Sequence, residues 1–274
     1  MRVKLYSYFV SNYDRNFLLE IDETEFKDFK EYNISLKKYT NVFDCYRNYK
    51  KSEELIKKYI ENIDDYDTQK LNDIYRDCKY LFMQNIMFGR IFIDNIKSYC
   101  KQEERFDLKK EVLNFEKLDE IKMLKLLRDY GQHFSLPFSN LRTSYSPSQE
   151  KTTGIEPLIS VSELRKNVTS NTQNKMYLKS LNEGEISIVD YFKNWSKLID
   201  ELLLKVKTDF LLLTDLNIKQ FVLSKILCFI DMGNYIPVGL AKAEEVNNHI
   251  GIYQQIEFIS FDELVLLHLF GTNY

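Results

Sequence analysis

The scarcity of glycine and proline before residue 131 is the feature that most constrains the fold of this 274-residue chain. Gly89 is the only residue of either type in that stretch, and all four prolines come later. A sheet-rich domain needs turn residues at roughly every 8–12 positions. The first 130 residues cannot supply them, so an all-β sandwich or barrel is excluded for the N-terminal half.

The hydrophobic spacing instead predicts a mainly α chain with a few short strands. We expect three regions: an N-terminal segment over 1–33 with a small hairpin, a helical core over 34–145, and an α-rich C-terminal region over 146–274. The hairpin would use two β-like runs, 2–10 and 17–22.

Within the core, helices are predicted over 34–62, from Asp67 or Thr68 to about 101, and over 113–133. A charged connection is predicted over 101–110. Later in the chain the patterns predict an exposed loop over 139–160, helices over 160–207 and 208–230, a strand over 252–260 and a final helix over 261–270.

The helix that ends near residue 101 is the most apolar in the chain. Its apolar residues between Leu81 and Cys100 cover more than the one stripe that a surface helix normally buries. Such a helix is either central in the core or shared with a partner. Trp195, farther along the chain, is expected to be a core residue.

Charge and composition exclude several classes of protein. With 38 basic and 41 acidic residues the net charge is −3, so no global field favours nucleic acid or a membrane. No run approaches the ~18 apolar residues of a spanning helix, and the N-terminus has no export signal. The four cysteines lie far apart without a CxxC motif. We therefore expect a cytoplasmic protein with reduced thiols and no membrane partner.

Common catalytic and metal-binding motifs are absent from the sequence. There is no phosphate-binding glycine loop, no zinc-protease motif and no nucleophile elbow. Three histidines make a histidine-based metal cage improbable, so no metal and no cofactor is predicted. Glu120 and Lys122 match half of a metal-dependent nuclease pattern, but that chemistry needs both on one face of a strand, and here they lie in a predicted helix.

One constellation remains, in which Arg128 is followed by the polar Asp129 and, five positions after the arginine, by His133. Residues 127–137 read LRDYGQHFSLP and follow the apolar helix and the charged connection. Over about 70–140 the chain thereby resembles the HEPN proteins (higher eukaryotes and prokaryotes nucleotide-binding), many of which carry an LRNYxQHxxLP-type segment. Asp129 stands where asparagine is commoner in that family. The bare motif is unspecific, with about 0.3 chance matches expected, so its position at a helix end carries the resemblance.

The resemblance implies a HEPN-like helical bundle that acts as a metal-independent endoribonuclease in anti-phage defence or in a toxin–antitoxin system. It implies Arg128 as a phosphate clamp, because a guanidinium binds phosphoryl oxygens through two donors. His133 would be the acid/base group or orient the ribose 2′-OH, since its ordinary pKa of about 6.5 suits proton transfer. Asp129 would orient one of them or contact the ribose.

Further positions are expected to support this site. Asp94 or Asn85, polar residues on the apolar helix, would hold Arg128, and Tyr130 and Gln132 flank the motif. Arg128 and His133 are separated by about 140° on a regular helix. Either Gly131 distorts the turn, or a second copy completes the site, which implies a homodimer.

Alternative interpretations remain open for each of these residues. His133 at a helix C-terminus would interact favourably with the helix dipole, and Arg128 could be a surface residue paired with Asp129 or Glu120. The acid-free stretch 164–180 carries Arg165, Lys166, Lys175 and Lys179, which could follow an RNA backbone or form a solvated face.

The chain as a whole also has alternatives to an RNase with RNA as its partner. It could be a non-catalytic HEPN-like module that binds a nucleotide or a partner protein, including an inhibitory or sensing one. The near-neutral charge favours this second interpretation, because RNA-binding proteins usually have a basic face. A third interpretation is a purely structural helical dimer.

Overall fold

A computed structural model describes residues 2–9, 15–61, 71–133, 138–146, 151–166, 172–182, 184–229, 235–247 and 252–271. Over these ranges the chain forms nine α-helices and seven β-strands, with helix dominant, so the predicted mainly α class is confirmed. The helices are α1 Glu23–Glu61, α2 Leu71–Gln102, α3 Phe106–Phe115, α4 Asp119–His133, α5 Val161–Arg165, α6 Thr172–Ser180, α7 Ile188–Leu213, α8 Leu216–Phe221 and α9 Glu263–Phe270. The strands are β1 Arg2–Phe9, β2 Arg15–Ile21, β3 Phe138–Ser146, β4 Lys151–Ser160, β5 Glu185–Ser187, β6 Tyr235–Asn247 and β7 Ile252–Ser260.

The chain divides into two compact units. Residues 1–43 and 207–274 form one unit, and residues 44–206 form the other. These limits differ from the predicted regions 1–33, 34–145 and 146–274. The reason is a long-range pairing: β1 pairs antiparallel with β2, as the predicted hairpin requires, and also with β6 near the other end of the chain. Local patterns do not reveal which distant strand completes a sheet.

The unit formed by the two ends of the chain is built on a four-stranded antiparallel sheet with the order β2-β1-β6-β7. The strand predicted over 252–260 is confirmed as β7, whereas β6 was not predicted. Gly239 in β6 is required by close packing, because an added Cβ would lie 2.6 Å from the carbonyl oxygen of Ile259 and would overlap the ring of Phe258.

The helices of this unit begin at defined caps. Asp22 accepts a hydrogen bond from the Thr24 amide across 2.7 Å, while the Glu25 carboxylate accepts one from the Asp22 amide, which is a capping box for α1. Asp262 is the N-cap of α9, and its carboxylate accepts a hydrogen bond from the Leu264 amide. The final helix predicted over 261–270 is therefore confirmed, with its first turn beginning at Glu263.

The unit over 44–206 is a helical bundle with α2 at its centre. Along α2, Phe82, Ile86, Phe92, Ile93 and Ile96 are at most 1% exposed. A Cβ added at Gly89 would lie 3.3–3.4 Å from side chains of α7 (Ile199), α1 (Tyr49) and α4 (Leu124), so three helices approach α2 at this point. The excess apolar surface of α2 is thus largely covered within the chain. Trp195 on α7 is fully buried, as expected.

A second, three-stranded antiparallel sheet with the order β3-β4-β5 lies in the same unit. The prediction of an exposed loop over 139–160 is therefore wrong. Serine and threonine suit strand surfaces as well as loops, and the tertiary structure decides here, because Ile155, Leu158 and Ile159 are buried. Phe138 at the start of β3 packs edge-on against Phe82 of α2.

Other helix boundaries also differ from the predicted ones. The segment 113–133 is divided by a turn at 116–118, in which the Lys117 and Leu118 amides bond to the carbonyls of Asn114 and Phe115. The charged connection expected over 101–110 contains the start of α3. The helix expected over 160–207 is divided among α5, α6 and α7, and 208–230 contains the end of α7, α8, a π-helical turn (Val222–Ile226) and a 3₁₀ turn (Leu227–Phe229). The start of α2 predicted at Asp67 or Thr68 lies outside the described residues.

None of the helices in the described ranges combines the length and the apolarity of a membrane-spanning segment.

Candidate functional site on α4

The end of α4 carries the residues of the HEPN-like motif. Arg128 and Asp129 are each 24% exposed at their side chains, and the Arg128 Nε lies 3.0 Å from the Asp129 Oδ1. Nε is not aligned for a good hydrogen bond, so the contact is an ion pair. The surface pairing of Arg128 with Asp129 that was one open alternative is present. The same contact agrees with the other expectation, that Asp129 orients the arginine.

A buried amide holds Asp129 from the neighbouring helix. The Asn174 Nδ2 on α6 donates to the Asp129 Oδ2 across 2.9 Å, and Asn174 is 4% exposed. The carboxylate is therefore bound on one oxygen by an amide and on the other by a guanidinium. This arrangement fixes Asp129 and leaves the terminal NH2 groups of Arg128 without a contact among the described residues.

His133 is the last residue of α4, and α4 is a regular α-helix through Gly131. The side chains of His133 and Gln132 lie outside the described ones. Because the helix is undistorted, the Cβ directions of Arg128 and His133 differ by about 140° around its axis. One copy of α4 therefore does not present both residues on a single face.

Tyr130 is buried at the end of α4. Burial raises the pKa of Tyr130, the Glu163 carboxylate raises it further, and Lys166 opposes both. Tyr130 therefore lies near Glu163 of α5 and Lys166, which follows α5, and its hydroxyl stays protonated at physiological pH.

Asn85 and Asp94 do not hold Arg128, which corrects the role expected for them. Asn85 is fully buried, accepts a hydrogen bond from the Trp195 Nε1 across 3.1 Å and donates one to the Ser52 Oγ across 2.9 Å. Asp94 pairs with Arg90 at 3.2 Å and Lys97 at 2.8 Å. Asn85 thus bonds to residues of α7 and α1, and Asp94 to two cations of its own helix. The sequence alone does not show which helices lie beside each residue.

The four basic residues of the stretch 164–180 lie on α5 and α6 or in the turn after α5, and all four are exposed. Arg165 donates to the carbonyls of Leu178 and Leu181, so it links α5 to the end of α6. Lys166 forms an ion pair with Glu163. Lys175 and Lys179 extend from α6 into solvent.

A cleft of about 580 Å³ lies beside the motif, and sequence reasoning did not find it. We name it the α4–α6 cleft; its principal lining residues are Lys117, Lys122, Lys125, Asn174, Met176 and Tyr177. Three of its lining residues are lysines, on or just before α4. The signal that could have revealed it is their spacing, since Lys122, Lys125 and Asp129 share one face of a helix.

The described residues contain no group of three or more His, Cys, Asp or Glu side chains that could hold a metal ion. Glu120 and Lys122, the half-match to a metal-dependent nuclease, lie on α4, and Lys122 is ion-paired with Asp119 at 2.9 Å.

Comparison of the chain with known proteins gave no matching family model, no matching curated protein and no matching solved structure. The resemblance to the HEPN proteins therefore stays a prediction.

Proposed function

We propose that the protein is a metal-independent endoribonuclease of HEPN type, acting in the cytoplasm in anti-phage defence or in a toxin–antitoxin system. One observation carries the proposal: Asp129 holds Arg128 through Nε and leaves its terminal NH2 groups for a ligand. A fixed guanidinium with two available donors matches two oxygens of a phosphodiester.

The chemistry proposed for these residues needs no metal. The ribose 2′-OH attacks the adjacent phosphorus, the bond from phosphorus to the 5′-oxygen breaks, and a 2′,3′-cyclic phosphate and a 5′-hydroxyl form. His133 takes the 2′-OH proton or delivers a proton to the leaving oxygen. Arg128 stabilises the charge that builds on the phosphoryl oxygens, where a preorganised cation has its largest effect.

A homodimer is part of the proposal. Since Arg128 and His133 differ in direction by about 140° on one helix, we expect RNA to contact Arg128 of one copy and His133 of another. The dimer explains how both groups reach one phosphate. A mixture of Arg128→Ala and His133→Ala proteins is then expected to recover part of the activity, because one of the two sites in a mixed dimer keeps both groups.

The test compares the wild-type protein with Arg128→Ala and His133→Ala. Expressed in a bacterial host, the wild type is expected to slow growth and fragment RNA, and each variant to lose both effects. Arg142→Ala is the matched control, because Arg142 is an exposed arginine whose ion pair with Glu156 lies outside the site. Purified protein should cleave in EDTA. Equal cleavage by all four proteins, or its loss in EDTA, contradicts the proposal.

The second candidate is a non-catalytic helical module that binds a nucleotide or a partner protein, such as an inhibitory or sensing one. The net charge of −3 favours it, since it gives the whole protein no basic field toward RNA. Under this function Arg128→Ala and His133→Ala leave RNA intact in every assay, while the folded protein still captures its ligand.

A further inference from the structure

We propose that Asn174 is a positioning residue for RNA cleavage. Its amide occupies one carboxylate oxygen of Asp129 and thereby prevents Asp129 from binding the terminal NH2 groups of Arg128. The inference rests on the proposed function, in which those NH2 groups bind a phosphodiester. Asn174 lies outside the HEPN-like segment over about 70–140 and acts on the reaction through Asp129.

Two contacts place α6 beside α4 in a defined direction. Asn174 and Tyr177 are three residues apart and share one face of α6, and Asp129 and Lys122 share one face of α4. The Asn174 Nδ2 lies 2.9 Å from the Asp129 Oδ2, and the Lys122 Nζ lies 5.7 Å from the centre of the Tyr177 ring. Since the later residue of α6 meets the earlier residue of α4, the two helices run antiparallel, with Asn174 at the motif end of α4.

The bond from Asn174 to Asp129 is shielded from water. Asn174 is 4% exposed and Tyr177, one turn later, is 7% exposed. The far end of α6 is held as well, because Arg165 donates to the carbonyl of Leu181 across 2.7 Å. Hydrogen bonds to charged groups are stronger than those between neutral groups. The amide therefore keeps the Asp129 Oδ2 in one place.

The arrangement of Asp129 and Arg128 is not the one that such a pair prefers by itself. An arginine and a carboxylate bind most strongly when two N–H groups meet two oxygens side by side. Here the Arg128 Nε lies 3.0 Å from the Asp129 Oδ1, while the Oδ2 is bound by Asn174. Without the amide, the Oδ2 can accept a hydrogen bond from an NH2 group of Arg128. That pairing takes away a donor that the phosphate needs, so Asn174 keeps the clamp available.

Steady-state cleavage of single-stranded RNA by the full-length protein tests this role. Asn174→Ala is expected to lower kcat between about tenfold and a hundredfold with little change in KM, because a misplaced cation stabilises the transition state less. The variant Asp129→Ala removes the group through which the amide acts. The double variant Asn174→Ala/Asp129→Ala should therefore cleave at the rate of Asp129→Ala alone.

Ile96→Val is the matched control for a loss of stability. Ile96 is a fully buried residue of α2, and its shortening weakens the core without changing a polar group. At a temperature where all variants are folded, Ile96→Val should keep the kcat of the wild type. A merely structural role of Asn174 would give Asn174→Ala the same result as this control.

Nuclear magnetic resonance of the arginine side chains gives a readout that does not depend on activity. The Nε–H signal of Arg128 is assigned by its absence from the spectrum of Arg128→Ala. In Asn174→Ala this signal is expected to shift, and the two NH2 groups of Arg128 should become distinguishable, because pairing through two donors restricts rotation of the guanidinium. Ile96→Val should leave these signals as in the wild type.

The outcomes separate a failure of this inference from a failure of the proposed function. Loss of cleavage in Arg128→Ala together with full cleavage in Asn174→Ala would overturn the positioning role alone. A further loss in the double variant, or unchanged Arg128 signals in Asn174→Ala, would do the same. Cleavage by Arg128→Ala at the wild-type rate would overturn the proposed function, and the role of Asn174 in RNA cleavage with it.

Discussion

Asn174 on α6 donates its side-chain amide to the Asp129 carboxylate on α4 across 2.9 Å, and Asp129 in turn holds Arg128. The amide lines the α4–α6 cleft and is itself buried. One hydrogen bond therefore joins Asp129, which holds the proposed phosphate clamp Arg128, to a residue that lines the α4–α6 cleft.

Removal of this hydrogen bond is expected to destabilise the fold. Asn174→Ala leaves a partly buried carboxylate without its amide donor, so the free energy of unfolding should fall by about 1–2 kcal/mol. Urea denaturation followed by the fluorescence of Trp195, the one tryptophan, measures it. Asn95→Ala is the control, because among the described residues the Asn95 amide bonds to the Ile91 carbonyl of its own helix, and a change within about 0.5 kcal/mol is expected there. Equal effects of the two substitutions would contradict this role of Asn174.

Asn85 is expected to act on stability and not on RNA cleavage. Asn85→Leu leaves the buried Trp195 Nε1 without an acceptor and the Ser52 hydroxyl without a donor, and should cost about 2–4 kcal/mol. The same urea titration measures this loss. If Asn85 instead supported Arg128, cleavage would disappear while the unfolding transition stayed in place, and that result would refute the structural role.

The ion pair of Arg90 is expected to contribute more to the free energy of unfolding than an exposed ion pair does, because Arg90 is buried. Its side chain is 3% exposed and bonds to Glu116, so Arg90→Met leaves a carboxylate of 16% exposure with Lys97 as its one remaining cation among the described residues. We expect a loss of about 3 kcal/mol or more. Arg76→Met breaks a pair with Asp73 in which the arginine is 75% exposed, and should change stability by less than about 0.5 kcal/mol. Thermal and urea unfolding measure the loss in the free energy of unfolding for both variants. Similar losses in Arg90→Met and Arg76→Met would show that the Arg90 ion pair is not effectively buried.

Gly89 is expected to tolerate only a small substituent. An added Cβ would lie 3.3 Å from Ile199 and from Tyr49, so the branched side chain of Gly89→Val should overpack the centre of the bundle and cost about 2 kcal/mol. Gly89→Ala should change stability much less, because better helix propensity offsets the crowding. A Gly89→Val protein as stable as the wild type would show that the surrounding helices can separate.

His268 is expected to make stability depend on pH. It is stacked on Phe43 with ring centroids 4.2 Å apart, and its Nε2 lies 3.0 Å from the Tyr39 hydroxyl. Burial, and next the charge of Lys207, lower the pKa of His268 from 6.5 to about 4. The unfolded chain therefore binds more protons between these values, so the contribution is complete above pH 6.5 and is lost as the pH falls toward 4.

The measurement is the free energy of unfolding between pH 4 and pH 7, where a decline on the order of 2 kcal/mol is expected toward acid from this group. His268→Gln keeps a polar side chain without the titration and should flatten that part of the curve. His133→Ala leaves His268 in place and should keep the slope. A slope that is the same in His268→Gln and in the wild type would assign the pH dependence to other groups.

Several features of this protein follow from the sequence alone. The scarcity of glycine and proline over the first 130 residues excludes an all-β sandwich or barrel there, because such a fold needs turn residues at short intervals. Helical spacing correctly predicts α2 and α9 and the helical character of the segment that ends with α4, and the strand over 252–260 is confirmed as β7, since hydrophobic periodicity is a local property. The motif residues Arg128 and His133 were placed at the end of a helix for the same reason.

The tertiary structure decided what depends on distant partners. β1 pairs with β6, which lies near the other end of the chain, and the segments 138–146 and 151–160 are strands because Ile155, Leu158 and Ile159 are covered by other elements. Asn85 forms a hydrogen bond with Trp195, and Asp129 with Asn174, because their helices pack side by side. No local sequence pattern reveals which helices are neighbours. The period of a side-chain pattern gives the element and its buried face, but the free energy of burial and of hydrogen bonding is shared among residues far apart in the chain, and only the folded arrangement determines which of them meet.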